Sequence, residues 1–264
     1  MSINLAYDDT VSRVRITATG LAVSTYRVER STNGLFWRTV RGAVSLTPQS
    51  GEIKVDDYEF AADVENFYRV LDLDESPEPA EIEADSITPS LEGQIWLKSI
   101  RWTFLNRPVT VTDFGDISRA SREGLFDVVG RSVPVATSDV RGSRTFTLEI
   151  MTATADDALA MDLMVAAGGV LFVHTPPGCV VPGGYVSVGS TVQQRRTRSG
   201  RSPRRYFQLP CTVVAPPGPD VTGGTMTYAA LLNLYGGYDN LLAANPSYAA
   251  LLELMADPED LVVL

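Results

Sequence analysis

Short runs of alternating apolar and polar residues fill the first third of the chain, up to about Asp85. The runs are VRITAT, TYRVERS, LFWRTV, EIKVDDYEF and NFYRVLDL, and Gly, Pro, Asn and Ser residues lie between them. Alternation with a period of two points successive side chains to opposite faces of a strand, which predicts an antiparallel sandwich. The predicted core residues are Val14, Ile16, Tyr26, Val28, Trp37, Val40, Ile53, Val55, Tyr58, Phe60, Tyr68 and Val70.

A hairpin and an acidic edge are predicted within this first region. The segment YRVERSTNGLFWRTV has a Ser-Thr-Asn-Gly turn between two strand-like runs, which predicts a hairpin. The segment DLDESPEPAEIEAD, residues 72–85, is acidic and contains two prolines. We therefore expect an edge strand that merges into a solvated linker.

A second strand-rich region begins near Gln94 and contains one helical pattern. Its strand-like segments are QIWLKSIRWTFLNRPVTVTDF, GLFDVVGRSVPVAT, SRTFTLEIMTAT, GVLFVHTP, YVSVGSTVQQRR and RRYFQLPCTVVAP. The segment TADDALAMDLMVAAGG has apolar residues at helical spacing and ends at two glycines. The predicted buried face of this helix consists of Ala155, Leu159, Leu163 and Met164. One helix among antiparallel strands predicts a barrel with a single packed helix.

The C-terminal segment repeats a Tyr-x-x-Leu-Leu unit at steps of ten residues. Each unit has the spacing of one helix face, and helices of about two turns are marginal alone in water. We therefore expect residues 225–264 to form an arm that docks on its own barrel or on a neighbouring subunit, after a flexible PPGPDVTGG linker. The contact residues of this arm are Tyr228, Leu231, Leu232, Tyr238, Leu241, Leu242, Tyr248, Leu251 and Leu252.

Length and composition indicate a globular chain with real cores. The 264 residues are 44% hydrophobic, enough for two domains and a tail. No apolar run approaches the roughly 18 residues of a membrane span, so we expect none. The N-terminal MSINLAYDD lacks a signal pattern, which predicts synthesis and retention in a cytosol.

The net charge of −10 is spread unevenly along the chain. Residues 1–90 carry 8 Lys and Arg against 16 Asp and Glu, residues 91–224 carry 14 against 11, and residues 225–264 carry none against 5. A basic loop follows from this pattern, because six arginines lie in RRTRSGRSPRR. These are Arg195, Arg196, Arg198, Arg201, Arg204 and Arg205.

Three interpretations of the basic loop remain open. It can contact an acidic surface of a neighbouring subunit or partner, stay solvated, or bind a phosphate backbone. The rest of the chain is acidic and the loop lacks aromatic residues for base stacking, which favours protein contact over nucleic acid.

The sequence contains few candidate catalytic residues. The single histidine, His174, lies at a predicted strand end, and we expect it to be structural or exposed. The chain has no phosphate loop, dinucleotide fingerprint or zinc-protease motif. Cys179 and Cys211 lack metal-ligand spacing and are expected to be free thiols, with a disulfide between them as the alternative. We predict that the chain is not an enzyme and has no metal or cofactor.

Two resemblances add to these patterns. YRVERSTNGLFWRTV and DDYEFAADVENFYRV resemble fibronectin type III modules, with Tyr68 where such sandwiches have a corner tyrosine. Four parts of the sequence resemble minor tail proteins of long, non-contractile-tailed phages of actinobacteria. They are the segment GLFDVVGRSVPVATSDVRG, the strand and helix after it, the segment LFVHTPPG and the Tyr-x-x-Leu-Leu units.

The resemblance implies a mainly β virion protein with three parts. These are a fibronectin type III-like sandwich at 1–88, a distal-tail-like barrel at 89–218 and the helical arm at 225–264. The implied role is a three-fold or six-fold ring in the tail tip or baseplate, next to the tail tube, tape measure protein and tip hub. The fibronectin-like domain comes first, unlike in the simplest hub layout. The alternative is a reader of host surface glycans, with Phe36, Trp37 and Tyr58 as stacking residues if they are exposed.

Overall fold

The computed structural model describes residues 2–74, 80–197, 199, 201–221, 240, 242 and 243. It is mainly β, as predicted. The chain divides into two compact units. The first unit comprises the described parts of residues 1–108, 172–182 and 217–264, and the second comprises residues 109–171 and 183–216. The predicted domain boundaries at residues 88 and 218 stay predictions.

The first unit contains two antiparallel sheets. The strands of these two sheets are β1 (Ser2–Asp8), β2 (Arg13–Thr19), β3 (Tyr26–Ser31), β4 (Arg38–Thr39), β5 (Glu52–Asp57), β6 (Asn66–Asp72) and β7 (Ala80–Ile87). One sheet has the order β1-β2-β5, and the other has the order β4-β3-β6-β7. Alternate residues of β2 and β5 are buried, as the period of two requires.

One hydrophobic core joins residues of both sheets in the first unit. It includes every predicted core residue except Trp37 and Tyr58, which are half-buried. Trp37 comes just before the short strand β4, where its ring is covered by the guanidinium of Arg69, 4.1 Å from the ring centroid. Trp96 and Leu91 fill the core instead.

The predicted hairpin and edge strand are both present in the first unit. β3 pairs with β4, with Arg30 opposite Arg38. β7 lies at the edge of its sheet and pairs with β6 as far as Ile87, opposite Asn66. The prediction that this segment turns into a linker before Asp85 was therefore wrong, because the backbone groups of β7 find partners along β6.

The predicted barrel with one helix is confirmed for the described residues. The later strands are β8 (Ile95–Ser99), β9 (Arg107–Phe114), β10 (Ser118–Arg119), β11 (Glu123–Phe126), β12 (Val135–Ser138), β13 (Arg144–Thr152), β14 (Val170–His174), β15 (Gly184–Val188), β16 (Val192–Gln194) and β17 (Arg205–Val213). A short 3-10 helix spans Thr103–Leu105. Six strands in the order β13-β9-β8-β14-β15-β17 form the barrel, and pairing of β13 with β17 closes it.

The helix α1 (Ala155–Ala166) buries only Met164 of the four predicted residues, and Ala155, Leu159 and Leu163 are exposed. Thr154 and Asp157 form a capping box at its N-terminus. The buried residues are Ala158, Met161 and Met164, whereas Leu159 is 61% exposed and Leu163 is 36% exposed. The prediction followed the leucines, but the flexible methionines fill the packing space against the strands.

Candidate partner-contact surfaces

A two-stranded ribbon leaves the barrel strands of the second unit between β10 and β13. At its base β10 pairs with β13. A backbone bond of 2.9 Å from Gly142 N to Ala120 O continues the ladder. β11 then pairs with β12 as far as Phe126 opposite Val135. Because a strand advances about 3.3 Å per residue, the ribbon extends roughly 20 Å beyond the last pair of β10 and β13.

The ribbon exposes large apolar side chains. They are Leu125, Phe126, Val128, Val129, Val133, Val135 and Val140. Adjacent residues of a strand point to opposite faces, so Leu125 and Phe126 expose apolar surface on both sides of the ribbon. Contiguous exposed apolar surface is typical of protein contact sites. The ribbon is therefore the first candidate contact surface, here called the contact ribbon (residues 118–145).

Local packing gives the contact ribbon a defined shape. A Cβ added to Gly124 would lie 3.0 Å from the ring of Phe126, so this ring lies along the strand over the glycine. At the tip, Arg131 N donates to Val128 O at 3.0 Å around Gly130, whose φ is +85°. A preformed surface loses less conformational entropy when it binds.

This segment is part of the resemblance described above, but its contact role is not among the predictions from the sequence. The signal that was available is the run FDVVGRSVPV, in which apolar residues occupy both alternating sets of positions. In the structure this run forms the tip of the ribbon between β11 and β12. Apolar residues at a tip are either covered by their own fold or available to a partner.

Arg196 of the predicted basic loop is engaged within the second unit. Its guanidinium pairs with the carboxylate of Glu149 and lies 4.4 Å from the ring centroid of Tyr206. Thr112 Oγ1 donates to the other carboxylate oxygen of Glu149 at 2.6 Å. Since the side chain of Glu149 is buried, Arg196 supplies the opposite charge that its carboxylate needs.

The other arginines of the basic loop have different environments. Arg195, Arg201 and Arg204 are exposed. Arg205 is half-buried at the start of β17, where its Nη1 donates to Ser202 O at 2.8 Å and to the carbonyl of its neighbour at 2.9 Å. Arg198 lies outside the described residues. Arg195, Arg201 and Arg204 are therefore accessible to a partner.

Almost all predicted contact residues of the C-terminal arm lie outside the described residues. They are Tyr228, Leu231, Leu232, Tyr238, Leu241, Tyr248, Leu251 and Leu252. Leu242 is described and is 42% exposed. The docking of the arm stays a prediction.

The segment that precedes the arm is held in place in its described part. Arg41 donates hydrogen bonds to the carbonyls of Pro217, Gly218 and Val221. The prediction of a flexible linker was therefore wrong for residues 217–221. Prolines and glycines suggested freedom, but the carbonyls of this segment meet an arginine that is distant in the sequence.

Buried polar residues of the first unit serve packing. Lys98 Nζ donates to Ser12 O at 2.7 Å and to Tyr58 O at 2.8 Å. The ring of His174, which is 4% exposed, packs edge-on against Phe60 with centroids 4.7 Å apart. Burial lowers the pKa of Lys98 to about 7 and the pKa of His174 to about 2. His174 is therefore a neutral, structural residue at neutral pH.

The other candidate chemical groups are also accounted for. Cys179 and Cys211 are free thiols, as expected, and burial raises the pKa of Cys211 to about 11. Within the described part of the chain, no three His, Cys, Asp or Glu side chains come together as metal ligands. Among the same residues, no helix combines the length and apolarity that a membrane crossing requires.

The three aromatic residues named for glycan stacking do not share one exposed surface. Phe36 is 78% exposed. Trp37 and Tyr58 are half-buried, and the face of Trp37 is already covered by Arg69. A sugar ring stacks on an open aromatic face, so only Phe36 among these three presents one.

Comparison of the chain with protein-family models and with curated proteins finds no match to either.

Proposed function

We propose that the protein is a structural minor tail protein of a bacteriophage tail tip or baseplate. In this proposal its copies form a ring that connects the tail tube to tip or receptor-binding proteins. The protein is not an enzyme and works without a metal or cofactor. It is made in the cytoplasm of the bacterial host and ends up in the virion tail.

The contact ribbon carries this proposal. Burial of a Leu, Val or Phe side chain contributes roughly 1.5–3 kcal/mol relative to exposure. Leu125, Phe126, Val129 and Val133 are 58–103% exposed in the isolated chain, so most of this free energy does not contribute to its folding. A second copy of the chain can bury them, and a closed ring uses the same patch once per subunit.

The architecture of the first unit supports a fibronectin type III-like sandwich. Seven antiparallel strands form one sheet of three and one of four over a shared core. That layout is common to immunoglobulin and fibronectin type III modules. Tyr68 departs from the expected corner tyrosine, because its hydroxyl donates to the carboxylate of Asp57 rather than to backbone.

The resemblance of the sequence to actinobacteriophage minor tail proteins supports the location and the partners. A barrel with one packed helix agrees with the distal-tail-like barrel that this resemblance implies. The partners in this proposal are other copies of the chain, the tail tube, the tape measure protein and the tip hub. Arg195, Arg201 and Arg204 provide a basic contact for an acidic neighbour.

The two alternatives have less support. A host-glycan reader needs aromatic faces open to solvent, and Arg69 covers Trp37. A nucleic-acid role needs a broad basic surface, and Arg196 of the basic loop is paired with Glu149.

The test is the oligomeric state of the purified full chain, measured by light scattering and mass photometry across concentration. We expect a discrete oligomer of three or six copies. The variant Leu125→Ser/Phe126→Ser/Val129→Ser should be a folded monomer. The control Val23→Ser/Val180→Ser changes two other valines that are 99% and 79% exposed, and it should still assemble. The proposal would be refuted if the wild-type chain stays monomeric at high concentration and is also present as a single copy in each tail particle.

A further inference from the structure

The side chain of Arg41 donates hydrogen bonds to backbone carbonyls of a segment that is distant in the sequence. Its Nη1 donates to Gly218 O at 2.5 Å and to Val221 O at 3.1 Å. Its Nη2 donates to Pro217 O at 3.2 Å. The backbone N–H of Gly42 adds a bond of 2.9 Å to Pro219 O. Residues 41 and 42 thus bind four carbonyls of residues 217–221, here called the strap.

Glu59 orients the guanidinium for this task. Its two carboxylate oxygens accept from Arg41 Nε at 2.7 Å and Nη2 at 3.3 Å, and both side chains are 14% exposed. A planar guanidinium that is held by a carboxylate on one side presents its remaining N–H groups in fixed directions. Arg41 therefore meets the strap as a preorganised donor group.

The composition of the strap explains why it needs such a donor group. Pro217 and Pro219 have no N–H group, so the strap has few donors with which to join a sheet. Its carbonyls still require partners. One bond is internal, from Val221 N to Gly218 O at 3.1 Å, and closes a turn. Arg41 and Gly42 satisfy the outward carbonyls.

We infer that Arg41 is a positioning residue that fastens the strap to the first unit and so fixes the point where the C-terminal segment starts. The hydrogen bonds of Arg41 to the strap are the evidence that Arg41 fastens it. The consequence of this fastening for assembly rests on the proposed function, in which the Tyr-x-x-Leu-Leu units contact a neighbouring copy.

The strap changes how far the first Tyr-x-x-Leu-Leu unit can reach. Tyr228 follows Val221 by 7 residues, which span at most about 25 Å when fully extended. Without the strap, the last residue held by a backbone bond is Val214, which donates to Tyr185 O and precedes Tyr228 by 14 residues, and the reach grows to about 50 Å. Effective concentration falls roughly as the −3/2 power of tether length, which predicts about a threefold loss in local concentration.

The first measurement is hydrogen exchange of the full chain, followed by mass spectrometry. In Arg41→Ala we expect exchange at the three amides of the strap, those of Gly218, Asp220 and Val221, to become at least about tenfold faster, while peptides from β2 and β5 keep their protection. Arg41→Lys keeps the charge but lacks the planar group, so an intermediate effect is expected. Glu59→Gln removes only the charge that orients the guanidinium. It provides a second measurement of strap exchange if Arg41→Ala folds poorly. Unchanged exchange of the strap in all three variants would overturn the inference.

The matched control is Arg69→Ala. Arg69 also donates two bonds to one carboxylate of the first unit, at 2.7 and 3.0 Å to Glu29 Oε2. Within the described residues, the hydrogen bonds of Arg69 go to Glu29 and Glu81 and none goes to the strap. Its loss should leave strap exchange unchanged.

The second measurement is the concentration dependence of assembly. It tests whether fastening the strap also helps the C-terminal segment to contact a neighbouring copy. The midpoint concentration of assembly should rise about threefold or more in Arg41→Ala and Arg41→Lys, with the melting temperature of Arg69→Ala as the stability reference. Faster strap exchange with an unchanged assembly midpoint would overturn the positioning role. A wild-type chain that never assembles would refute the proposed function, and the exchange measurement would still decide whether Arg41 fastens the strap.

Discussion

The hydroxyl of Tyr68 donates a hydrogen bond of 2.8 Å to the carboxylate of Asp57, and both side chains are buried in the first unit. Arg30 pairs with the same carboxylate oxygen, and the backbone N–H of Glu59 donates to the other oxygen at 2.8 Å. Three donors from three parts of the chain thus compensate one buried negative charge. This arrangement fixes the end of β5 against β3 and β6.

Removal of one donor from Asp57 should cost less than removal of the carboxylate. We expect Tyr68→Phe to lower the free energy of unfolding by about 1–3 kcal/mol, because a buried acceptor loses one partner. Asp57→Ala should cost about 3–5 kcal/mol, because it leaves the charge of Arg30 uncompensated. Urea titrations of both variants measure the difference. Equal losses in the two variants would contradict this account.

Lys98 should make stability increase between neutral and alkaline pH. Burial lowers its pKa to about 7, well below its ordinary value near 10.5. Above pH 7 the unfolded chain therefore binds a proton that the folded chain does not, and stability rises by about 1.4 kcal/mol per pH unit until about pH 10. The neutral amine keeps two N–H groups for Ser12 O and Tyr58 O.

The check on Lys98 is the pH dependence of unfolding in wild type and in Lys98→Met. The wild type should gain stability relative to the variant between pH 7 and 10, and the two should run parallel below pH 7. A constant difference over the whole alkaline range would show that Lys98 keeps an ordinary pKa.

His174 should make the protein sensitive to acid. Its pKa is lowered to about 2, first by burial and then by the positive charges of Lys98 and Arg30. Below pH 6.5 the unfolded chain protonates this histidine and the folded chain does not, so the folded state loses about 1.4 kcal/mol per pH unit. The variant His174→Phe keeps a ring against Phe60 and removes the titration. We expect its stability relative to wild type to increase steadily from pH 6.5 to pH 4 in denaturant titrations.

The face of α1 can be tested by a pair of substitutions. Met161 is fully buried, and Met161→Ala should lower the free energy of unfolding by about 2–5 kcal/mol because it opens a cavity. Leu159 is largely exposed, and Leu159→Ala should change it by at most about 0.5 kcal/mol. Thermal melts of the two variants distinguish the faces. A larger cost at Leu159 would restore the face that the sequence predicted.

Some features of the fold could be predicted from the sequence, and others could not. The strands of the first unit and their core follow from a local period of two, so Val14, Ile16, Val28 and Val70 were assigned correctly. The barrel and the existence of its helix also follow from local patterns. The side chains that α1 buries depend on the shape of the space beneath it, which a list of hydrophobic residues does not contain.

Two features of the candidate surfaces depend on long-range or external partners. Arg41 meets Gly218 across 177 positions of sequence, and no local pattern links them. The valines of the contact ribbon have the same hydropathy as core valines, so the sequence cannot separate residues buried by their own chain from those reserved for a neighbour. The exposure of Val129 and Val133 made that distinction possible.

The arginines of the basic loop should separate into two groups when they are replaced. Arg196→Ser should lower the melting temperature, because the buried carboxylate of Glu149 loses its ion pair and keeps only the hydroxyl of Thr112. The triple variant Arg195→Ser/Arg201→Ser/Arg204→Ser should melt like wild type, since exposed charges contribute about 0–1 kcal/mol each to folding. The same triple variant should assemble less well, with a smaller dependence of assembly on salt, because it has lost the charges that attract an acidic neighbour. Calorimetry and mass photometry at two salt concentrations measure both properties. Normal assembly of the triple variant would show that the loop is a solvated surface, and tight binding of duplex DNA by the wild-type chain would restore the phosphate-contact interpretation.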